Sequence, residues 1–137
     1  MPGYSGTPLP QKLGIKPDST VTLISGPANY RELLGSAAKS VQFTDRIRSN
    51  VDFVHVFVKE RSKLDKNLRQ LRTKMADNGI VWVSWPKKAS GVETDITEDG
   101  IRAIALPLGL VDVKVCAVDD TWSGLKLMIR RELRKRM

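Results

Sequence analysis

Asp52-Phe53-Val54-His55-Val56-Phe57-Val58 is the stretch that decides the fold. It is apolar on both faces apart from His55, and burial on both faces marks a strand in a parallel sheet covered by helices. A basic segment follows. Within it Leu64, Leu68, Leu71 and Met75 fall at i, i+4, i+7 and i+11, one narrow stripe on a helix. Lys63, Lys66, Arg69, Arg72 and Lys74 lie off that stripe. The spacing predicts an amphipathic helix that lays its leucines on the sheet and ends at Asp77-Asn78-Gly79. Residues 80–85 then form a fourth strand.

Upstream, Thr20-Val21-Thr22-Leu23-Ile24-Ser25 is rich in β-formers and reads as the first strand, broken by Gly26-Pro27. Asn29 is placed to cap a helix running to about Ala38, with Tyr30, Leu33, Leu34 and Ala37 at helical spacing. Residues 41–44 suit a short second strand. Before all of this, residues 7–13 read as a short helical turn, with Thr7 as cap, Pro8 at the first position and Gly14 as stop.

Downstream, residues 86–95 are a polar loop. Thr97 with Glu98 and Asp99 begins a helix that Pro107 and Gly109 stop. Residues 110–118 form a fifth strand, Asp119-Asp120 a turn, and residues 121–129 either a helix or an antiparallel return strand. The very short connection favours the hairpin.

Strands and helices in this order predict a single α/β domain. Right-handed crossovers make it Rossmann-like and doubly wound, a mostly parallel sheet flanked by helices, with a C-terminal antiparallel hairpin strand. That last strand resembles the antiparallel edge of S-adenosylmethionine-dependent methyltransferase folds. The expected organisation is an extension over residues 1–19 packed on the domain, the domain over 20–130, and a basic tail over 131–137.

The chain has 137 residues, room for one core but not for two ordinary domains. The formal charge is +8, concentrated in two segments. Residues 59–74 hold seven basic and two acidic side chains, and residues 126–137 six and one. Such segments are either solvated surface or patches for acidic partners. One cysteine excludes an internal disulfide, and one histidine excludes a multi-histidine metal site. The Gly- and Pro-rich start lacks the pattern of a signal peptide, and no run is long enough to suggest a membrane span. A cytoplasmic location is the expectation.

Several stretches resemble a small bacterial family of unknown function (domain of unknown function three thousand and fifty-two). They are Gly3-Tyr4-Ser5-Gly6-Thr7-Pro8-Leu9 with Lys12-Leu13-Gly14-Ile15-Lys16, the run from Trp82-Val83-Ser84-Trp85-Pro86 through Lys87-Lys88-Ala89-Ser90-Gly91, and Gly109-Leu110-Val111-Asp112 leading into Lys114-Val115-Cys116-Ala117-Val118-Asp119 and Trp122-Ser123. The resemblance spans nearly the whole chain and implies no activity.

In open α/β sheets, ligands bind beyond the carboxyl ends of the strands near the topological switch. This predicts a crevice made by Ser25-Gly26-Pro27, the segment after Val58, and Trp85-Pro86-Lys87-Lys88, and the ligand-binding candidates are Ser25 and Gly26 after the first strand, and Trp85, Lys87, Lys88 and Ser90 after the fourth. Trp85 offers a stacking face, the lysines charge, and the start of a following helix backbone N–H groups for an anion. A dinucleotide is disfavoured, because Ser25-Gly26-Pro27-Ala28 has one glycine and Pro27 lacks a donor. Asp45 is the nearest acid for gripping a ribose. Ser84-Trp85-Pro86-Lys87 occupies the place where many amino-methyltransferases carry an acid or Asn before Pro-Pro and an aromatic, without those residues.

His55 and Cys116 read as mid-strand core residues, and Trp82, Trp85 and Trp122 as space-filling aromatics. Glu93, Asp95, Glu98 and Asp99 read as capping and solvated acids rather than metal ligands. No catalytic residue, metal or cofactor is assigned, and an enzyme is the less favoured reading. Three functions stay open. They are a non-catalytic domain that binds a protein partner or itself, a binder of a small ligand (an anion, a nucleotide or an S-adenosylmethionine-like molecule), and, less favoured, a nucleic-acid binder using the basic segments. A membrane partner is not expected.

Overall fold

The computed structural model describes residues 7–134. Residues 3–6 of the opening motif and residues 135–137 of the basic tail lie outside the described residues. The elements are α1 (Leu9–Leu13), β1 (Thr20–Ile24), α2 (Tyr30–Leu34), β2 (Gln42–Thr44), β3 (Val51–Phe57), α3 (Arg61–Lys74), β4 (Met75–Pro86), α4 (Glu98–Ala105), β5 (Leu110–Ala117) and β6 (Trp122–Ile129).

One sheet runs β2-β1-β3-β4-β6-β5. Strands β1 to β4 are parallel, and β6 is antiparallel to both β4 and β5. The alternation along β3 and β4 separates two cores. Phe53, Phe57 and Trp82 pack with Leu13, Tyr30 and Leu34 beneath α1 and α2. On the other face Val54, Val56, Val81 and Val83 pack with Leu64, Leu68 and Leu71 of α3 and Ile101 and Ala105 of α4. This is the expected doubly wound α/β sheet.

Several local expectations change. Pro8, not Thr7, stands at the cap position of α1, and Asn29 holds the cap position of α2 without a side-chain cap bond. The helix predicted to reach Ala38 stops at Leu34, because Gly35 takes φ +65° and the chain continues to Ser40 as a 3-10 helix. Met75, counted on the helical stripe, instead opens β4 and pairs with Val51, although it is buried as the stripe required. Asp77-Asn78-Gly79 is then no helix stop but part of an irregularity inside β4, since Phe53 pairs only with Ile80. Gly79 belongs there because a Cβ would sit 3.0 Å from the Ala76 carbonyl and 3.1 Å from that of Val51.

The C-terminal hairpin forms because Asp119 turns the chain. Its Oδ1 accepts from the backbone N–H of Thr121 at 2.9 Å and of Trp122 at 2.8 Å. Thr97 caps α4, its hydroxyl accepting from Gly100 N–H at 3.0 Å. Leu13 is fully buried, and the Trp82 indole donates to its carbonyl at 2.8 Å. No helix among the described residues is long and apolar enough to cross a membrane.

Candidate ligand-binding cleft

After β1 the chain turns to β2 on one side, while β3 lies on the other and leads on to β4, so the connections leaving the carboxyl ends of β1 and β3 diverge although the strands stay paired to Ile24 and Val56. Between them opens a cleft of about 380 Å³, lined by Ser25, Pro27, Phe57, Val58, Lys59, Glu60, Lys63, Asn67 and Trp122. Ser25 turns its lip with φ +56°. Phe57 ends β3 on the His55 face and forms the floor. The Trp122 indole meets it edge-on, with ring centroids 5.0 Å apart. Of the three tryptophans, Trp82 and Trp85 are buried and Trp122 is partly exposed.

Behind that floor lies a fully buried histidine. The His55 ring stacks on Phe57 at 4.3 Å. Its Nδ1 is 2.8 Å from the Tyr30 hydroxyl and its Nε2 2.7 Å from the Ser84 hydroxyl. One ring nitrogen donates and the other accepts, so both hydroxyls are engaged whichever tautomer is present. Burial pushes the His55 pKa down to about 3 and the Tyr30 phenol up. The ring is therefore neutral at ordinary pH. The expectation of a core histidine agrees with this burial; its two hydroxyl partners were not foreseen.

Charge enters the cleft from one side. Lys59 and Lys63 line it with Glu60, whose carboxylate is 2.9 Å from Lys63 Nζ. Both side chains of that pair are exposed, so it restrains neither strongly. The first N–H of α3 is not open to an anion, because Asp95 Oδ1 accepts from Arg61 N–H at 2.7 Å. The Thr94 hydroxyl and the Asp95 N–H both reach the Lys59 carbonyl, at 2.6 Å and 3.3 Å. The loop before α4 is thereby pinned to the cleft edge.

Of the residues expected to bind, only Ser25 lines this cleft. Gly26 lies under the lip, where a Cβ would be 2.6 Å from the Leu23 side chain. Trp85 is buried in the core beneath α3 and α4, on the face away from Phe57. Lys87 to Ser90 form their own turn, with the Lys87 carbonyl accepting from the Ser90 hydroxyl at 2.6 Å, and lie outside the lining. The alternation of β4 explains this, since Trp85 shares a face with Val81 and Val83. The segment after Val58, which begins with Lys59, was expected at the crevice and lines it, as does Pro27. Phe57, Lys63 and Trp122 were not foreseen, and the one sequence signal among them is that Phe57 lies next to the end of the decisive stretch.

The acidic residues near α4 serve structure. Arg102 pairs with Glu98, with Asp99 at 3.0 Å and with Asp112 of β5 at 2.9 Å. This holds the Asp112 carboxyl below its usual range. No group of three or more His, Cys, Asp or Glu gathers in a metal-holding arrangement among the described residues. Cys116 is half-buried, and burial raises its thiol pKa. The basic face of α3 is partly engaged within the fold. Arg72 donates to the Leu108 carbonyl at 2.8 Å, and Arg69 pairs with Asp65 at 3.1 Å.

Residues 11–131 match the family model described as protein of unknown function (DUF3052). No curated protein matches the sequence significantly. Among solved structures the chain is similar to a protein assigned as a type 11 methyltransferase from Sulfolobus solfataricus, with a TM-score of 0.60, 15% identity, and 93% of each chain covered. It is similar to a SAM dependent methyltransferase from Aquifex aeolicus, with a TM-score of 0.58, 16% identity, and 87% of this chain and 86% of that one covered. It is also similar to DhpI in its complex with SAH, with a TM-score of 0.56, 11% identity, and 90% and 83% covered. At such identities the likeness is one of fold.

Proposed function

This chain belongs to the DUF3052 family, and we propose that it is a binding domain on a methyltransferase scaffold, holding a small nucleoside-type ligand of the S-adenosylmethionine kind. The observation that carries the reading is the cleft between β1 and β3, at the place where this fold class takes its ligands. Trp122 supplies a face for a flat base, with Phe57 closing the floor beneath it. Lys63 and Lys59 suit a carboxylate or other anionic end. The first turn suits a nucleoside better than a dinucleotide, because Leu23 fills the space beneath Gly26 and Pro27 has no N–H for a diphosphate. If S-adenosylmethionine is the ligand, its methyl sulfonium brings transferable carbon. The residues named here bind and orient, and none is assigned a role in transfer.

The test uses Trp122 as reporter. S-adenosylmethionine, S-adenosylhomocysteine and ATP are titrated while tryptophan emission and thermal stability are followed. Saturable quenching that Trp122→Phe removes and Lys63→Ala weakens supports the reading. At a ligand concentration of 100 Kd the fold gains about 2.7 kcal/mol. Unchanged emission and stability at millimolar concentrations of all three would overturn it.

A second reading, self-association or a protein partner, is favoured by the edge strand β5, where Val113 and Val115 are each 50% exposed. Light scattering on the eluted protein tests it, and a monomer that co-purifies with no other chain would count against it.

A further inference from the structure

The connection from β2 to β3 is unusual for this architecture. Consecutive parallel strands of one sheet are joined by a crossover of about a dozen residues or more, commonly a helix, and β2 and β3 have β1 between them. Here residues 45–50 suffice, because β2 ends after three residues, level with Thr22 of β1. The loop passes over β1 on the sheet face shared by Val54 and Val56, with Ile47 packed against that core. No helix of the described residues lines this corner. What remains is a groove of about 440 Å³ between the loop and the sheet.

Its lining is mostly polar and basic, with Phe43 and Val51 as the apolar members. Thr20, Thr22 and Thr44 face it from the strands, and Arg46, Arg48 and Ser49 from the loop. Thr22 is only 2% exposed, yet its hydroxyl takes no hydrogen bond from the described residues and is not sealed from solvent. Neither the Arg46 nor the Arg48 guanidinium has an ion pair or hydrogen bond among the described residues. Asp52 is the acid in the lining and does not offset both arginines. The loop is held in place from behind. Asn50, at φ +66°, donates its N–H to the Lys74 carbonyl at 2.6 Å, and the Arg46 N–H bonds to the Thr44 hydroxyl at 3.2 Å.

We propose that this groove is a second binding site, separate from the cleft at β1 and β3, for a small ligand that carries a phosphoryl group and hydroxyls. Two guanidiniums present forked donors suited to a tetrahedral oxyanion. The threonine and serine hydroxyls donate and accept, which suits a polyhydroxylated body rather than an apolar ring. The Thr22 hydroxyl, on a largely buried residue but open to the groove, is a polar group that such a ligand would engage.

The probes are glucose 6-phosphate, inorganic phosphate and glucose, added at constant ionic strength while amide and arginine Nε resonances are recorded. Glucose 6-phosphate is expected to shift Arg46, Arg48 and Thr22 along a saturating curve, and glucose to leave them in place. Arg46→Ala with Arg48→Ala should weaken that binding at least tenfold, with an unchanged amide spectrum elsewhere because both side chains are on the surface. Shifts that do not saturate by tens of millimolar, or that survive the double substitution, would overturn the proposal. Perturbation of Lys59, Lys63 and Trp122 alone would also overturn it, by assigning the anion to the other cleft. Failure of S-adenosylmethionine to quench Trp122 leaves this test untouched, since the two sites share no lining residue.

Discussion

The Tyr30 hydroxyl stands 2.8 Å from Nδ1 of His55, joining the second helix to the centre of the sheet inside the core. A charged imidazole does not suit this place, and burial lowers the His55 pKa from its ordinary 6.5 to about 3. The unfolded chain therefore binds a proton between those values that the folded chain refuses. The stability this represents is fully present above about pH 6.5 and is lost as pH falls through the window toward 3. The slope from one proton is about 1.4 kcal/mol per pH unit. Urea unfolding of the wild type and His55→Gln between pH 7 and pH 4 checks it. Identical slopes in the two proteins would show that His55 is not the group responsible.

The same geometry makes the two hydroxyls interdependent. Removing either, as Tyr30→Phe or Ser84→Ala, leaves one buried ring nitrogen without its partner, a cost of about 1–3 kcal/mol. Because both act on one ring, the double variant should be destabilised by less or more than the sum of the singles, by at least about 0.5 kcal/mol. Strict additivity in denaturant melts would mean that the ring does not link them.

The fold was legible where period and composition agreed. Residues 52–58 are apolar on both faces, and that pattern fits a central parallel strand and little else. Asp119 read correctly as a turn because it bonds to residues two and three positions on, a local event. Met75 misled because a buried residue at i+11 satisfies a helix stripe and a strand opposite Val51 equally well. The cleft was legible as a location, since strand order fixes it, but not as residues. Strand alternation sends Trp85 to the other face, and Trp122 reaches the cleft only through pairing of β6 with β4. Asp95 reaches the start of α3 across 34 positions of sequence, a contact that no local pattern announces.

Leu13 tests whether the segment before β1 is part of the domain. Its side chain is fully buried, and its carbonyl accepts from the Trp82 indole. Leu13→Ala should cost about 2–5 kcal/mol, the range for emptying a packed leucine site. Partial loosening of α1 would admit water to Trp82 and move its emission to the red. A loss below about 0.5 kcal/mol with unchanged emission would show that α1 is docked too weakly to belong to the core.

Gly26 and Gly14 separate two reasons for a glycine. At Gly14 a Cβ would meet nothing within 4 Å, but φ is +82°, so Gly14→Ala should cost about 1 kcal/mol through the backbone alone. At Gly26 the hindrance comes from a neighbour. A Cβ would lie 2.6 Å from Cγ and Cδ2 of Leu23 and 2.7 Å from Cδ1, so the whole isobutyl group must move. Overpacking of this kind costs about 1–3 kcal/mol. It should also lift the lip at Ser25, and ligand binding at the cleft should weaken with stability. If Leu23 is the cause, Leu23→Ala relieves it, and the Gly26→Ala penalty measured in that background falls by about 1 kcal/mol or more. The Gly14→Ala penalty in the same background stays as it was. A Gly26→Ala cost that persists without the leucine would place the constraint in the backbone turn itself, and the lip would then be set by Ser25 and Pro27 rather than by the packing beneath them.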